Sequence, residues 1–249
     1  MLVNLDTTLT STIAPNVAAM ITSGCYSMPF DVLGMHWVTV DERPAVAIRT
    51  FQPQAAAVSV NREGRECAME HIHPDGLFEA IFPGEAQFFP YTLSITLHSG
   101  PGSPRPQRYE TEDPYRYSPV LTDFDLHLFN EGTHLRLYEK LGAQLMEHEG
   151  TQGVCFAVWA PNAERASVIG DFNQWDGRRH PMRPRGASGV WELFVPGLQQ
   201  GELYRFEIKT RYQGYMAVKS DPFAFAAELR PNNASVIWDL GRYQWRDGH

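Results

Sequence analysis

The chain has 249 residues, of which 43% are hydrophobic and 20% are charged, and its formal net charge is −8. This length and composition provide enough apolar material for two small domains or one large one, which excludes disorder of the whole chain. The negative charge and the scattered Lys and Arg residues leave no phosphate-seeking surface, so nucleic acid is excluded as an expected partner.

The first residues, Met1 to Gly24, are rich in Thr, Ser and Ala and have neither a basic start nor a sustained apolar core, so they do not resemble a secretion signal. No run approaches the roughly 20 apolar residues that cross a bilayer, which predicts no membrane partner. The three cysteines, Cys25, Cys67 and Cys155, are odd in number and far apart, and we interpret them as small core residues in a reducing compartment. The sequence therefore predicts a cytoplasmic protein.

From about Trp37 onward, short runs rich in Val, Ile, Phe and Tyr alternate with Pro, Gly, Asn and Asp, a pattern typical of β-strands joined by turns. The strands predicted in the first half are Ala45–Thr50, Ala56–Val60, Leu77–Phe82 and Thr92–Leu97. Those predicted in the second half are Val154–Trp159, Ala166–Ile169, Val190–Val195 and Leu203–Lys209.

The two halves also match residue by residue, which indicates an internal repeat. A shift of 108 residues places Pro53 on Pro161, Ala55 on Ala163, Ser59 on Ser167 and Val60 on Val168. A shift of 113 places Gly76–Glu79 on Gly189–Glu192, Pro83-Gly84 on Pro196-Gly197, and Tyr91 on Tyr204. The shift then returns to 108 and pairs Asp113-Pro114-Tyr115 with Asp221-Pro222-Phe223. Shared β-sandwich alternation alone would not explain these ordered identities.

Between the halves, Ser118–Gly150 is interpreted as a connector with a short helix after Asp123, a suitable N-cap residue. A loosely helical apolar stripe is expected to pack one module on the other, and it consists of Phe124, Leu128, Leu135 and Leu141. The sequence thus predicts an all-β chain of two tandem sandwiches joined by a partly helical connector. The expected boundaries are a tail without regular structure at 1–29, a first sandwich at 30–117, the connector at 118–150, a second sandwich at 151–240 and a linker start at 241–249.

The segment Gly170–Trp175 follows a predicted strand and places an indole and an amide on one loop. Trp stacks on the apolar face of a pyranose ring and Asn hydrogen-bonds its hydroxyls, which predicts sugar binding rather than bond cleavage. The alternative is that Trp175 is ordinary core at a sandwich edge. The first copy has Asn61–Arg65 at the corresponding place, without an aromatic residue, so the second module is the better predicted sugar binder.

No catalytic or metal-binding constellation is predicted. His71 and His73 share a strand face but have no convincing third ligand nearby. The sequence contains no Gly-x-Ser-x-Gly elbow, no glycine-rich phosphate loop and no Cys-x-x-Cys pair, and we expect no cofactor.

Several runs in the second half resemble the family 48 carbohydrate-binding module, an immunoglobulin-like sandwich of glycogen- and starch-active enzymes. They are Phe156–Ala163, Val168–Trp175 and Gly189–Glu192. With the upstream runs His73–Phe78 and Leu137–Gly142, the chain resembles the paired amino-terminal domains of bacterial 1,4-α-glucan branching enzymes.

The resemblance implies an α-glucan ligand and a catalytic (β/α)₈ barrel as intramolecular partner. Because the chain has no segment that could supply that barrel, we expect it to be inactive alone in forming α-1,6 branches. The implied glucan contacts are Trp175, Asn173, Asn232, Asn233, Lys219 and Tyr215, the last in place of an aromatic residue missing before Asp221. Two alternatives remain open, a standalone glycogen-binding regulatory module and the amino-terminal region of a debranching or trehalose-forming enzyme.

Overall fold

The computed structural model describes residues 11–85, 87–98 and 107–242, and within these ranges the chain forms four antiparallel sheets. Each half of the chain contributes two sheets, whose inward-facing side chains form a core between them. The prediction of an all-β chain built from two tandem sandwiches is confirmed. No helix of the described residues has the length and apolar character needed to cross a bilayer.

The first copy begins with helix α1 (Pro15–Thr22) and a 3-10 turn at Pro29–Asp31. Its strands are β1 Gly34–Val40, β2 Arg43–Phe51, β3 Ala55–Arg62, β4 Arg65–Ala68, β5 Glu70–His73, β6 Leu77–Pro83, β7 Thr92–Leu97 and β8 Arg108–Thr111. They form the sheets β1-β2-β6-β5 and β4-β3-β7-β8, and a 3-10 turn at Pro114–Arg116 follows. Alternation along β2, β3, β6 and β7 buries one face of each strand in the core between the sheets.

The second copy begins with helix α2 (Asp123–Glu131) and a 3-10 turn at Leu137–Glu139. Its strands are β9 Gly142–His148, β10 Thr151–Trp159, β11 Ala163–Gly170, β12 Arg183–Pro184, β13 Val190–Pro196, β14 Leu203–Thr210, β15 Met216–Lys219, β16 Ala226–Ala227 and β17 Ser235–Val236. The sheets are β12-β13-β10-β9 and β11-β14-β17-β16, and β15 also pairs with β14. Further 3-10 turns lie at Asp171–Asn173 and Leu240–Arg242.

The two copies correspond element by element, and the correspondence starts before the first sandwich. Helices α1 and α2 begin 108 residues apart, as do β1 and β9, β2 and β10, β3 and β11, and β8 and β15. Strands β6 and β13 begin 113 residues apart. A bulge interrupts the pairing of β3 at Ala55/Ala57 and that of β11 at Ala163/Arg165. The internal repeat predicted from the sequence is therefore present in the fold, and its unit includes the helix.

Each copy contains the same buried tyrosine–aspartate hydrogen bond. The Tyr91 hydroxyl donates to Asp113 Oδ2 at 2.6 Å, and the Tyr204 hydroxyl donates to Asp221 Oδ2 at 2.5 Å. The other oxygen of each aspartate accepts the backbone N–H two residues further on, at 3.0 and 2.8 Å. Burial raises the pKa of both carboxyls, that of Asp113 to about 6. The matched Asp-Pro positions of the sequence thus close each sandwich in the same way.

A buried glutamate in each copy holds the segment that precedes the helix. Glu79 on β6 accepts the backbone N–H of Thr12 at 3.0 Å, and Glu192 on β13 accepts those of Val120–Leu121 at 3.2 and 2.9 Å. An arginine lies 2.7 Å from each carboxylate and balances its charge: the buried Arg49 beside Glu79 and the partly buried Arg185 beside Glu192. Both helices are therefore anchored parts of their repeat units.

Two of the expected boundaries differ from the structure for this reason. In the range 11–29, which was expected to be an unstructured tail, α1 buries Ala18 and Ile21. In the expected connector 118–150, strand β9 pairs with β10 along its whole length and belongs to the second sandwich. Short apolar segments such as α1 acquire their partners only from residues that are distant in sequence. Residues 1–10 and 243–249 lie outside the described residues.

The connector helix begins at Asp123, but its N-cap is Thr122. The Thr122 hydroxyl accepts the Asp125 backbone N–H at 3.1 Å, and the Asp125 carboxylate accepts the Thr122 backbone N–H at 3.0 Å. This capping box supersedes the expected Asp123 cap. The residue sequence Thr-x-x-Asp at this place carried the signal.

The predicted apolar stripe does not pack the two modules together. Phe124 is 67% exposed and Leu135 is 91% exposed, whereas Leu141 is buried against the outer face of the β10–β13 pair. Leu126 and Phe129 cover that same outer face, so a different side of α2 is buried. The interpretation of the cysteines as core residues is likewise correct for Cys155, which is buried, and wrong for Cys25, which is exposed.

The junction between the copies is formed by α1, the end of β2 and the turn after β8. Residues of both copies share one buried cluster, which includes Ile21, Phe51, Tyr115, Phe156, Trp191 and Phe206. The Tyr115 hydroxyl donates to the carbonyl oxygens of Arg179 and Pro181 at 3.3 and 3.2 Å. The Arg183 guanidinium lies 3.5 Å from the ring centre of Phe30. These contacts hold the segment after Trp175 against the first copy.

Candidate functional site

The segment Gly170–Trp175 leaves strand β11 and turns toward solvent through the 3-10 turn Asp171–Asn173. Trp175 has a φ of +59°, in the left-handed region that is costly for a residue with a side chain. Its backbone N–H donates to the Gly170 carbonyl at 2.9 Å, and its indole Nε1–H donates to Asp171 Oδ1 at 2.8 Å. The half-buried indole is thus held in one orientation, as a stacking platform requires.

Asn173 is completely buried and is part of the support of this loop. Its Oδ1 accepts the Gly170 backbone N–H at 2.9 Å, and its Nδ2 donates to the Val168 carbonyl and to His180 Nδ1, both at 2.9 Å. Burial lowers the pKa of His180 to about 3, so this imidazole is neutral and can accept. The geometry contradicts a sugar contact by Asn173. Sequence spacing could not distinguish an amide that points into the loop from one that points out of it.

Arg205 belongs to this surface and was missed from the sequence. It stands on β14 opposite Ile169, between the inward-facing Tyr204 and Phe206, so its side chain leaves the outer face of the sheet. Its guanidinium lies 5.6 Å from the ring centre of Trp175. Among the described residues, no acceptor pairs with its buried Nε. The alternation along β14 was a usable signal, because it places Arg205 on the side of the loop.

The same outer face continues from Arg205 toward the last turn of the module. Ser220 follows Lys219, which pairs with Phe206 at the end of β15, and the Ser220 hydroxyl donates to the backbone carbonyl of Asn233. Asn232 is exposed at the rim of an open groove, where its Nδ2 donates to Glu228 Oε1 at 3.1 Å. The turn containing Asn232 and Asn233 therefore lies at the end of β14 that carries Arg205, whose guanidinium is beside Trp175.

Lys219 and Tyr215 lie apart from this surface. Lys219 pairs with Phe206, whose side chain is in the core, so Lys219 leaves the sheet on the face opposite to Arg205. Tyr215 is 65% exposed at the hairpin that joins β14 and β15. Five residues of strand separate that end from Arg205, which corresponds to roughly 16 Å. The structure does not bring either residue next to Trp175.

The segment that follows Trp175 forms hydrogen bonds with the first copy. Arg178 Nη1 donates to the carbonyl of Thr22 at 3.4 Å, and Arg179 Nη2 donates to Gln52 Oε1 at 3.3 Å. The segment that follows Trp175 is thus fixed at the junction between the copies. The position of the Trp175 platform depends on both halves of the chain.

The groups at this surface are suited to binding. An indole, a guanidinium, a hydroxyl and two amides offer stacking and hydrogen bonds. Within ranges 11–85, 87–98 and 107–242, no three His, Cys, Asp or Glu side chains gather as metal ligands. The arrangement is that of a binding module.

Comparison with known proteins gives the class of this module. Residues 140–224 match the family model of carbohydrate-binding module 48 (Isoamylase N-terminal domain). In the first half, residues 14–115 match the model of the alpha-1,4-glucan branching enzyme GlgB, N-terminal domain. Along the chain, a region similar to the GlgB N-terminal domain is thus followed by a region similar to carbohydrate-binding module 48.

Individual relatives are similar to both regions together. The chain is 48% identical over 230 residues to the 1,4-alpha-glucan branching enzyme GlgB of Paramagnetospirillum magneticum, which covers 92% of this chain and 29% of the relative. It is 46% identical over 230 residues to GlgB of Rubrobacter xylanophilus, covering 92% of this chain and 30% of the relative. The chain thus spans about 30% of the length of these curated relatives.

Among solved structures, a pullulanase type I from Bacillus subtilis in complex with maltose is 18% identical, with a TM-score of 0.35 over 86% of this chain and 28% of that one. This likeness is too distant to support an argument.

Proposed function

We propose that this chain is the non-catalytic amino-terminal part of a 1,4-α-glucan branching enzyme, that it binds α-glucan around Trp175, and that it packs on a catalytic domain. The observation that carries the binding proposal is the fixed indole of Trp175 beside the Arg205 guanidinium. In this proposal, the cutting of α-1,4 chains and the formation of α-1,6 branches belong to the longer protein. No cofactor, nucleic acid or membrane takes part, and the free cysteines suit the cytoplasm.

Each residue of the surface has a separate role in this proposal. Trp175 stacks on the apolar face of a glucose ring, and the Arg205 guanidinium beside it donates to ring hydroxyls. Asn232 and Asn233 contact a neighbouring glucose unit from the rim of the groove. Lys219 and Tyr215 would be reached only by a longer glucan, and their participation stays a prediction.

The binding proposal is tested by affinity gel electrophoresis in glycogen. Stacking of a ring on an aromatic side chain contributes about 1–3 kcal/mol, so Trp175→Ala should weaken retention about tenfold. Phe124→Ala is the matched control, since this exposed aromatic residue lies on α2, away from the Trp175 surface. Retention of Trp175→Ala equal to that of the control would refute binding at this surface.

The repeat supports the proposed packing on a further domain. At the end of β2, Phe51 is 2% exposed because it lies in the cluster shared with the second copy, whereas its counterpart Trp159 at the end of β10 is 56% exposed. Phe30 is covered by Arg183, whereas its counterpart Tyr138 is 45% exposed. The first copy thus uses this face to contact the body that follows it. We infer that the second copy presents the same face to a catalytic domain.

The docking proposal is tested by comparing two contexts. Trp159→Ser should leave the melting temperature of this chain nearly unchanged, because the side chain is already exposed. In a chimera that carries this chain in place of the matched region of the Paramagnetospirillum magneticum relative, the same change should increase proteolysis at the boundary between the chain and the remainder. Equal proteolysis of the two chimeras would refute docking on this face.

A further inference from the structure

A second aromatic platform lies on the first copy. Trp37 on β1 and Phe88 in the loop between β6 and β7 stack with ring centres 4.9 Å apart and planes inclined by 18°. The two side chains are 52% and 53% exposed, so the outer surface of the pair faces solvent. An exposed pair of large rings that are already aligned is typical of a binding surface.

The fold does not require these rings. The repeat places Leu145 of β9 at the position of Trp37 and Gly201 at the position of Phe88. Leu145 packs partly against the core of the second copy, and Gly201 has no side chain that could stack on it. The sandwich therefore forms without an aromatic pair at this place, just as the first copy forms without an aromatic residue at the position of Trp175.

The loop that carries Phe88 is anchored on both sides. Phe89 is buried, and the Arg62 guanidinium lies 4.0 Å from its ring centre. The same Arg62 forms an ion pair with Glu85 at 2.6 Å. Phe89 also meets Phe82 edge to face with ring centres 5.2 Å apart. Because its neighbours are fixed, Phe88 stays stacked on Trp37 without a large loss of entropy on binding.

An open cleft of about 570 Å³ begins at Phe88 and runs between the two copies. This volume lies in the range of ligand-binding sites. Its walls combine aromatic rings with guanidinium, carboxylate and hydroxyl groups, the latter from Arg116, Arg183, Glu149 and Ser118. A ligand that stacks on the platform would therefore find hydrogen-bonding partners along the cleft.

We propose that the Trp37–Phe88 pair and this cleft form a second α-glucan-binding site, on the GlgB N-terminal domain. The proposal rests on the proposed function, which makes α-glucan the ligand of this chain. A pyranose has an apolar C–H face for the rings and equatorial hydroxyls for the cleft, whereas a nucleic acid is disfavoured by the net charge of −8. Two sites on one chain would hold a branched polymer more strongly than either site alone.

The experiment measures retention in glycogen gels and the dissociation constant for maltoheptaose of Trp37→Ala, Trp175→Ala and the double variant. Trp37→Ala should weaken glycogen retention about tenfold, as expected for the loss of one stacking contact, and the double variant should lose retention. Phe124→Ala is the exposed aromatic control. Phe88→Ala removes half of the platform from a loop, and Trp37→Tyr should restore most of the retention, so a folding defect of Trp37→Ala cannot hide the answer.

The outcomes separate the two proposals. If Trp175→Ala weakens retention and neither Trp37→Ala nor Phe88→Ala does, the second site is refuted and the proposed function stands. If only the Trp37 and Phe88 variants weaken retention, the second site stands and the Trp175 site is refuted. If every variant behaves like Phe124→Ala, both sites are refuted.

Discussion

Replacing Asp113 by Asn should remove a pH-dependent part of the stability of the first copy. Asp113 is completely buried, and burial raises its pKa from 3.8 to about 6 despite the hydrogen bonds from Tyr91 and the Tyr115 backbone. Because the folded-state pKa lies above the unfolded value, protonation favours folding. The contribution is absent at pH 7, grows as the pH falls through 6, and is complete below 3.8. A difference of about 2 pKa units corresponds to about 3 kcal/mol in the free energy of unfolding.

The assay is urea unfolding of the protein and of Asp113→Asn at several pH values between 7 and 4. The free energy of unfolding of the parent, minus that of the variant, should rise by about 2 kcal/mol over this range, since most of the linkage develops there. Asp221 is present in both proteins, so its raised pKa cancels in the difference. Tyr91→Phe is the matched control: it removes a hydrogen bond that lowers the pKa of Asp113, so the rise should begin at higher pH. A difference that stays flat, or that falls toward pH 4, would refute the buried, proton-binding state of Asp113.

Three further changes test the supports of the fold and the exposure of its thiols. Asn173→Ala should lower the free energy of unfolding by about 3 kcal/mol, because the Gly170 N–H, the Val168 carbonyl and His180 Nδ1 lose their partner. The same change should weaken glycogen retention, because it removes the support of the loop that carries Trp175. An unchanged urea midpoint would contradict this role of Asn173. Glu192→Ala should cost about 3–5 kcal/mol in the same assay, since it removes the buried carboxylate that pairs with Arg185 at 2.7 Å and accepts the Val120 and Leu121 backbone N–H groups, and a cost below that of Glu192→Gln would contradict the account. Cys25 should react with Ellman's reagent in the native protein, because it is exposed and hydrogen bonds with Ser23 and Lys209 lower its pKa. Cys155 should react only after unfolding, because it is buried and burial raises its pKa. Cys25→Ser should abolish the fast phase of that reaction; its persistence would place the reactive thiol elsewhere.

The strands were predictable because their signal is local. Every strand predicted from alternation, from Ala45–Thr50 to Leu203–Lys209, lies within an observed strand. Alternation reflects burial of one face of a strand, which the neighbouring residues of the same segment already express. The repeat was predictable for a related reason, since turn positions such as Asp113-Pro114 and Asp221-Pro222 need the same residues in both copies.

The extent of the repeat unit was not predictable in the same way. Helix α1 was taken for a tail because it is short and apolar without a charged face, and its burial depends on Phe51 and on residues of the second copy. The Glu79 and Glu192 anchors join positions some 70 residues apart. Such residues come together only in the folded chain, so no pattern within a short segment predicts these contacts.

The sequence by itself determined the all-β fold class, the two-copy organisation and the place of the aromatic loop along the chain. Motifs and hydrophobic periodicity are local signals, because they depend only on residues that are close together in the sequence. The tertiary structure decided which side chains of that loop face solvent. Asn173 points inward and hydrogen-bonds the loop, and Arg205 lies beside Trp175 although it belongs to another strand. Lys219 and Tyr215 lie apart from Trp175. A binding surface is assembled from strands that meet across a sheet, and the pairing of those strands is a property of the whole fold.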